Sequence, residues 1–171
     1  MPPTAGSRAT DVSRIHVPVG IRFNDLDAYG HVNNAAMLTL LEEARIAVFW
    51  SAGDLQVEGV NDNDAPIADS DAASTITLVA RQEVEYLAPI PYLREPLDVQ
   101  LWIGRLGGAS IDVCYEIFSP AGDQEATLYA KAATTVVLVD AESGRPRRMT
   151  DREREAWGAH VDAPVAFSKR S

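Results

Sequence analysis

A chain of 171 residues with a formal charge of -10, 46% hydrophobic residues and 23% charged ones has the make-up of one globular domain able to bury a core unaided. The charge disfavours polyanions and anionic lipid at long range, so neither nucleic acid nor a membrane surface is an expected partner, and an anionic ligand needs local basic groups. Cys114 is the single cysteine, which excludes an internal disulfide; among alternating apolar residues it reads as a small core residue.

The first ten residues, MPPTAGSRAT, offer no apolar stretch of signal-peptide length, and no run of about 18 apolar residues follows. The expected location is the cytoplasm. Ile15, Val17, Val19, Ile21 and Phe23 then occupy alternate positions, the period of a half-buried strand, and Pro18 restricts that strand to a sheet edge or a bulge. The stretch from Asn24 to Asn34 is dense in Asp, Asn and Gly and reads as a loop ending at a helix start. From Ala35 to Trp50 there is neither proline nor glycine, and the mostly apolar sequence predicts a buried helix. Residues 51–74 read as a long surface loop, a candidate lid.

Four strand patterns follow without another helix. They run through Ile76, Leu78, Ala80, Val84 and Tyr86; Leu97, Val99, Leu101 and Ile103; Ile111, Val113, Tyr115 and Ile117; and Leu128, Ala130, Ala132, Val136 and Leu138. Gly107-Gly108 and Pro120-Ala121-Gly122 predict tight hairpins, hence antiparallel neighbours. Thr150 and Glu153 form a capping-box pattern for a short C-terminal helix ended by Gly158. The element order predicts an α+β fold in which a five- to six-stranded antiparallel sheet wraps one long central helix. The expected unit is a single domain over 1–171, with its core at about 13–160 and flexible ends at 1–12 and 161–171.

The chemistry concentrates in Asn24-Asp25-Leu26-Asp27-Ala28-Tyr29-Gly30-His31-Val32-Asn33-Asn34. A helix start supplies unpaired N–H groups and the positive end of the macrodipole, suited to a carbonyl oxygen gaining charge during acyl transfer. Gly30 lets the backbone approach a ligand, and Asp27 is placed either to attack the carbonyl or to deprotonate a water. Asp25 reads as structural. His31 suits either an orienting hydrogen bond or loop support, and Asn33 and Asn34 fit capping as well as carbonyl binding. An EF-hand register fails because Tyr29 and Ala36 fall where oxygen ligands belong, so no metal is expected. Glu42 and Glu43 lie too far along the helix to share that carbonyl, at about 13 Å from its start. Glu42 and Arg45 read instead as an ion pair on one helix face, within the fold or across a dimer.

The D-x-D-x-x-G-H-V-N-N run at Asp25 to Asn34, followed by E-x-A-R at Glu42 to Arg45, resembles the 4-hydroxybenzoyl-CoA thioesterase-like branch of the hotdog superfamily. The resemblance implies an acyl-CoA thioesterase in which Asp27 is nucleophile or general base and backbone amides near Gly30 and His31 polarise the thioester carbonyl. It also implies a homodimer or homotetramer, since a lone hotdog sheet leaves a face and its edges uncovered. The expected catalytic set is Asp27, Gly30, His31 and Asn33. Asn34, Arg94 and Arg105 are the expected substrate contacts, the two arginines for coenzyme A phosphates, with Arg145, Arg147 and Arg148 as weaker candidates. No cofactor is expected, coenzyme A being part of the substrate. Two rivals remain, a hotdog dehydratase or hydratase, which needs an acid and base pair, and a non-catalytic acyl-CoA-binding protein.

Overall fold

Alternation of apolar and polar residues sets the strands, and one uninterrupted apolar stretch sets the helix they enclose. The computed structural model describes residues 14–49 and 74–169. The elements run β1 (Ile15–Val19), a 3-10 turn (Phe23–Asp25), α1 (Asn34–Phe49), β2 (Thr75–Tyr86), β3 (Leu97–Leu106), β4 (Ser110–Phe118), β5 (Leu128–Asp140) and α2 (Asp151–Gly158). The strands form one antiparallel sheet ordered β1-β3-β4-β5-β2. This is the α+β hotdog arrangement. Pro18 indeed lies in an edge strand, where its missing N–H costs no ladder bond. The expected lid at 51–74 falls, but for Ser74, outside the described residues, as do the N-terminal residues 1–12.

The core lies between the inner sheet face and α1. Met37, Leu40, Leu41, Ala44, Val48 and Phe49 of the helix meet Val17, Val99, Leu101, Ile111, Ile117 and Leu138 of the sheet. Phe49 also stacks on the fully buried Trp157 of α2, with ring centroids 4.4 Å apart. The expected capping box is present: the Thr150 hydroxyl accepts from the Glu153 N–H, and the Glu153 carboxylate accepts from the Thr150 N–H.

Four expectations need correction. The period-two series of β2 does not share one face. A bulge between Val79 and Arg81 leaves Ala80 unpaired, so Ile76 and Leu78 point outward while Val84 and Tyr86 point inward. The link from β4 to β5 is a longer loop, closed by the Ser119 N–H donating to the Thr127 carbonyl and the Thr127 N–H donating to the Ser119 hydroxyl, and not a tight hairpin. The helix is not covered all round, because within one chain the sheet takes one side and leaves Leu38 and Ile46 more than a third exposed.

The fourth correction concerns 161–169, expected as a flexible end. This segment crosses the outer face of the sheet as a strap. Ile103 and Asp162 exchange backbone bonds with His160 and Ile103, Trp102 Nε1 donates to the Ala163 carbonyl, and Lys131 Nζ donates to that of Ala166. Ser168 then donates through N–H and hydroxyl to Glu85 on β2. Trp102 and Cys114 are buried beneath it, which explains why β3 is covered on both faces. Among the described residues no helix is long and apolar enough to cross a membrane.

Candidate active site

The loop from Arg22 to Asn33 is built by its own short polar side chains. Asp25 is buried and its carboxylate accepts from the Arg22 N–H at 2.8 Å and from the Arg22 guanidinium. The same guanidinium donates to Glu43 on α1. Asp25 is therefore a structural anchor. The Asn33 N–H donates to the Asp25 carbonyl, which closes the loop at its base.

Above that base, Asp27 and His31 pair through the backbone, Asp27 N–H donating to the His31 carbonyl at 2.7 Å. Asp27 Oδ1 accepts from the N–H groups of Tyr29 (2.8 Å) and His31 (3.1 Å). Gly30, at φ 78°, supplies the left-handed residue that this turn requires. The turn thus fixes the direction of the Asp27 carboxylate and leaves Oδ2 without a hydrogen-bond partner among the described residues.

Asn33 caps α1. Its Oδ1 accepts from the Ala35 N–H at 2.8 Å, and its carbonyl accepts from the Met37 N–H. The N–H groups of Asn34 and Ala36 keep no protein partner among the described residues, so they are the open donors at the helix start. The N–H groups of Gly30 and His31, which the resemblance implies for carbonyl polarisation, are already bonded to the Asp27 carbonyl and carboxylate. The open backbone donors beside the loop therefore lie in the first helical turn.

Segment 87–94 walls the loop: Val32 N–H donates to the Ile90 carbonyl and His31 pairs with Pro91. Arg94, on this segment, is exposed and without an ion-pair partner among the described residues. Arg105 is elsewhere. It sits on the outer face beside Asp112, bonded to it at 3.1 Å. Sheet register puts the Arg105 row level with Arg81, five residues and roughly 17 Å along β2 from Tyr86. Arg147 is likewise engaged, by Glu153 and Thr75. Glu42 and Arg45 form no ion pair; Arg45 is buried and donates to the Tyr115 hydroxyl instead.

Two neighbours of the loop were not singled out by sequence. Tyr86 donates its hydroxyl to the Asn34 carbonyl at 2.9 Å, pinning the end of β2 to the start of α1. Phe23 stacks on Tyr92 at 4.4 Å and remains largely exposed. Inward-pointing aromatics at a strand end and in a Pro-rich segment were the available signals. Among the described residues no three His, Cys, Asp or Glu side chains converge as a metal site requires.

A carboxylate aimed by its own turn beside open amides at a helix start is an arrangement suited to acyl transfer. The uncharacterized protein YsmA of Bacillus subtilis is 29% identical over 138 residues, 80% of each chain. A Thermus thermophilus thioesterase, whose structure holds coenzyme A and zinc, is 30% identical with a TM-score of 0.61, over 88% of this chain and 96% of its own. The 1,4-dihydroxy-2-naphthoyl-CoA thioesterase Slr0204 of Synechocystis shares the fold, with a TM-score of 0.65 at 18% identity, over 85% of this chain and 96% of its own. The family model of the thioesterase-like superfamily matches residues 21–157, from the strand end before the loop through α2. With four of the five strands, the enclosed helix and the carboxylate turn inside that span, this chain belongs to the thioesterase-like superfamily.

Proposed function

We propose that this chain hydrolyses an acyl-coenzyme A thioester to the free acid and coenzyme A. The observation that carries the reading is a carboxylate, Asp27, whose one oxygen is held by two turn amides while the other stays open, on the same short stretch as the unpaired Asn34 and Ala36 N–H groups. The thioester oxygen sits at those amides. Asp27 either attacks the carbonyl carbon, giving a mixed anhydride that water then opens, or takes a proton from an attacking water. In both cases the charge on the oxygen is met by fixed donors and coenzyme A leaves as the thiol. His31, whose side chain has no protein partner among the described residues, lines the approach. Asn33 supports the site by holding the helix start.

Coenzyme A as the leaving group is supported by the Thermus thermophilus relative that binds it. Arg94, beside the loop and not engaged by a carboxylate as Arg105 is, suits the phosphates. The reading includes a homodimer or a dimer of dimers. Free edges at β1 and β2 and the exposed Leu38, Ile46, Ile76 and Leu78 support it, since uncovered apolar surface next to an open strand edge favours self-association.

Thiol release measured over a panel of aromatic, short and long acyl-CoAs tests the proposal. Asp27→Asn is expected to lower kcat on the order of 100-fold or more while circular dichroism stays unchanged. Near-normal turnover by that variant on every accepted thioester contradicts the assignment. Formation of an enoyl thioester without free thiol points to a dehydratase instead.

A further inference from the structure

Arg45 is the only buried lysine or arginine among the described residues. Its single hydrogen-bond partner there is the Tyr115 hydroxyl at 3.2 Å. Burial pushes the Tyr115 phenol up, so that partner is a neutral hydroxyl. Thr134 stands beside the same phenol and is in turn approached by Gln82. A desolvated guanidinium is normally matched by an anion, because five fixed donors cannot be satisfied by one neutral acceptor. The buried carboxylate of Asp25 is matched in that way by Arg22.

Arg45 also lines a cavity of about 420 Å³, with Ile46 of α1, Thr75, Thr77 and Val79 of β2, and Val136 of β5 around it. That volume lies within the range of small-molecule pockets. Glu42 stands at its exposed rim, outside ion-pair distance of Arg45. The cavity is therefore lined in part by Ile46, Ile76, Val79 and Val136, with a cation in its wall. Its place relative to the Asp27 loop follows from the course of α1 and β2. Tyr86 ties one end of β2 to Asn34, and the other end of β2 lines the cavity beside Arg45. Between the two, Ala35, Leu38, Glu42 and Ile46 form an uncovered stripe on one face of α1. From Asn34 to Arg45 the helix rises about 16 Å.

We propose that this cavity takes the far end of the acyl group, and that Arg45 selects acyl chains whose far end carries a hydrogen-bond acceptor such as a carboxylate. The proposal rests on the thioesterase reading and adds its substrate class. A chain starting at the Asn34 amide and ending at the guanidinium spans roughly a dozen carbons, given C–C bonds of about 1.5 Å along a zigzag. A terminal carboxylate there supplies the counter-ion that the described residues do not, and the methylene chain lies along Ala35, Leu38 and Ile46.

The test compares two chains of equal length on the intact protein, dodecanoyl-CoA and its ω-carboxylated counterpart. Thiol release gives kcat/KM for each, and calorimetry with dodecanoate and dodecanedioate gives Kd without any need for hydrolysis. The ω-carboxylated member is expected to be favoured at least tenfold in both. Arg45→Met, close in size and uncharged, abolishes that preference, and Val79→Phe, which narrows the cavity, weakens binding of both acids. Equal binding of the two acids by the wild-type protein overturns the proposal, and so does an unchanged ratio in Arg45→Met. Loss of self-association in Arg45→Met with the ratio intact assigns the guanidinium to a subunit contact and also overturns it. If neither thioester is cleaved while dodecanedioate still binds preferentially, the hydrolase reading fails and the anion site stands.

Discussion

Asn33 and Asp27 do related work with different consequences. Each side-chain oxygen accepts from backbone N–H groups two or more residues ahead, but Asn33 completes a helix cap and Asp27 a turn. Asn33→Ala is expected to cost about 1 kcal/mol of stability, the usual loss for an N-cap, read as a lowered urea midpoint at unchanged slope. The preference of Asp and Asn for local backbone bonds made both positions legible from sequence. What the residue pattern could not convey was which amides stay open. His31 N–H looks like a donor for substrate until the Asp27 carboxylate is placed on it, and that depends on the three-dimensional closure of the turn. The partner of Arg45 within the chain is hidden in the same way: Glu42 is three residues away and obvious, whereas Tyr115 reaches it only through the fold.

At the scale of elements, period and punctuation were enough to find every described strand and both helices. Faces were harder to assign. A bulge is one extra residue and has no period of its own, so the alternation through Ile76, Leu78, Val84 and Tyr86 looks continuous although it changes side between Val79 and Arg81. The capping box of α2, by contrast, is entirely local. Arg147 beside Glu153 holds that carboxyl below the usual glutamate value. A carboxyl depressed in the folded state adds stability above its unfolded pKa, and that stability is lost as pH falls through the folded value. Glu153→Gln should therefore destabilise the protein at neutral pH and flatten its loss of stability below about pH 4.3, as followed by thermal melts across an acid series. A parallel offset at all pH values contradicts an ionic role for the pair.

For the whole molecule, the strap of residues 161–169 is the feature furthest from its sequence reading. Polar, Pro-containing and short of periodicity, it resembles a frayed end, yet backbone groups of the strap find partners on β3 and β5, and Ser168 reaches β2. Truncation after Ala159 is expected to leave the sheet folded and to bare Trp102 and Cys114. The rate of Cys114 labelling by a thiol reagent should then rise well above that of the intact chain, in which burial pushes the thiol up. Unchanged labelling contradicts a covering role for the strap. The family was legible because the Asp25 to Asn34 run and the element order lie within one continuous span; the location of the acyl group was not, because it depends on how α1 and β2 diverge. The most direct test of the account is a crystal structure of the Asp27→Asn protein with a non-hydrolysable ketone analogue of an acyl-CoA. The account predicts the ketone oxygen within hydrogen-bond distance of an open amide at Asn34 or Ala36, with the side chain at position 27 facing the carbonyl carbon. An analogue whose carbonyl lies away from the start of α1 contradicts it.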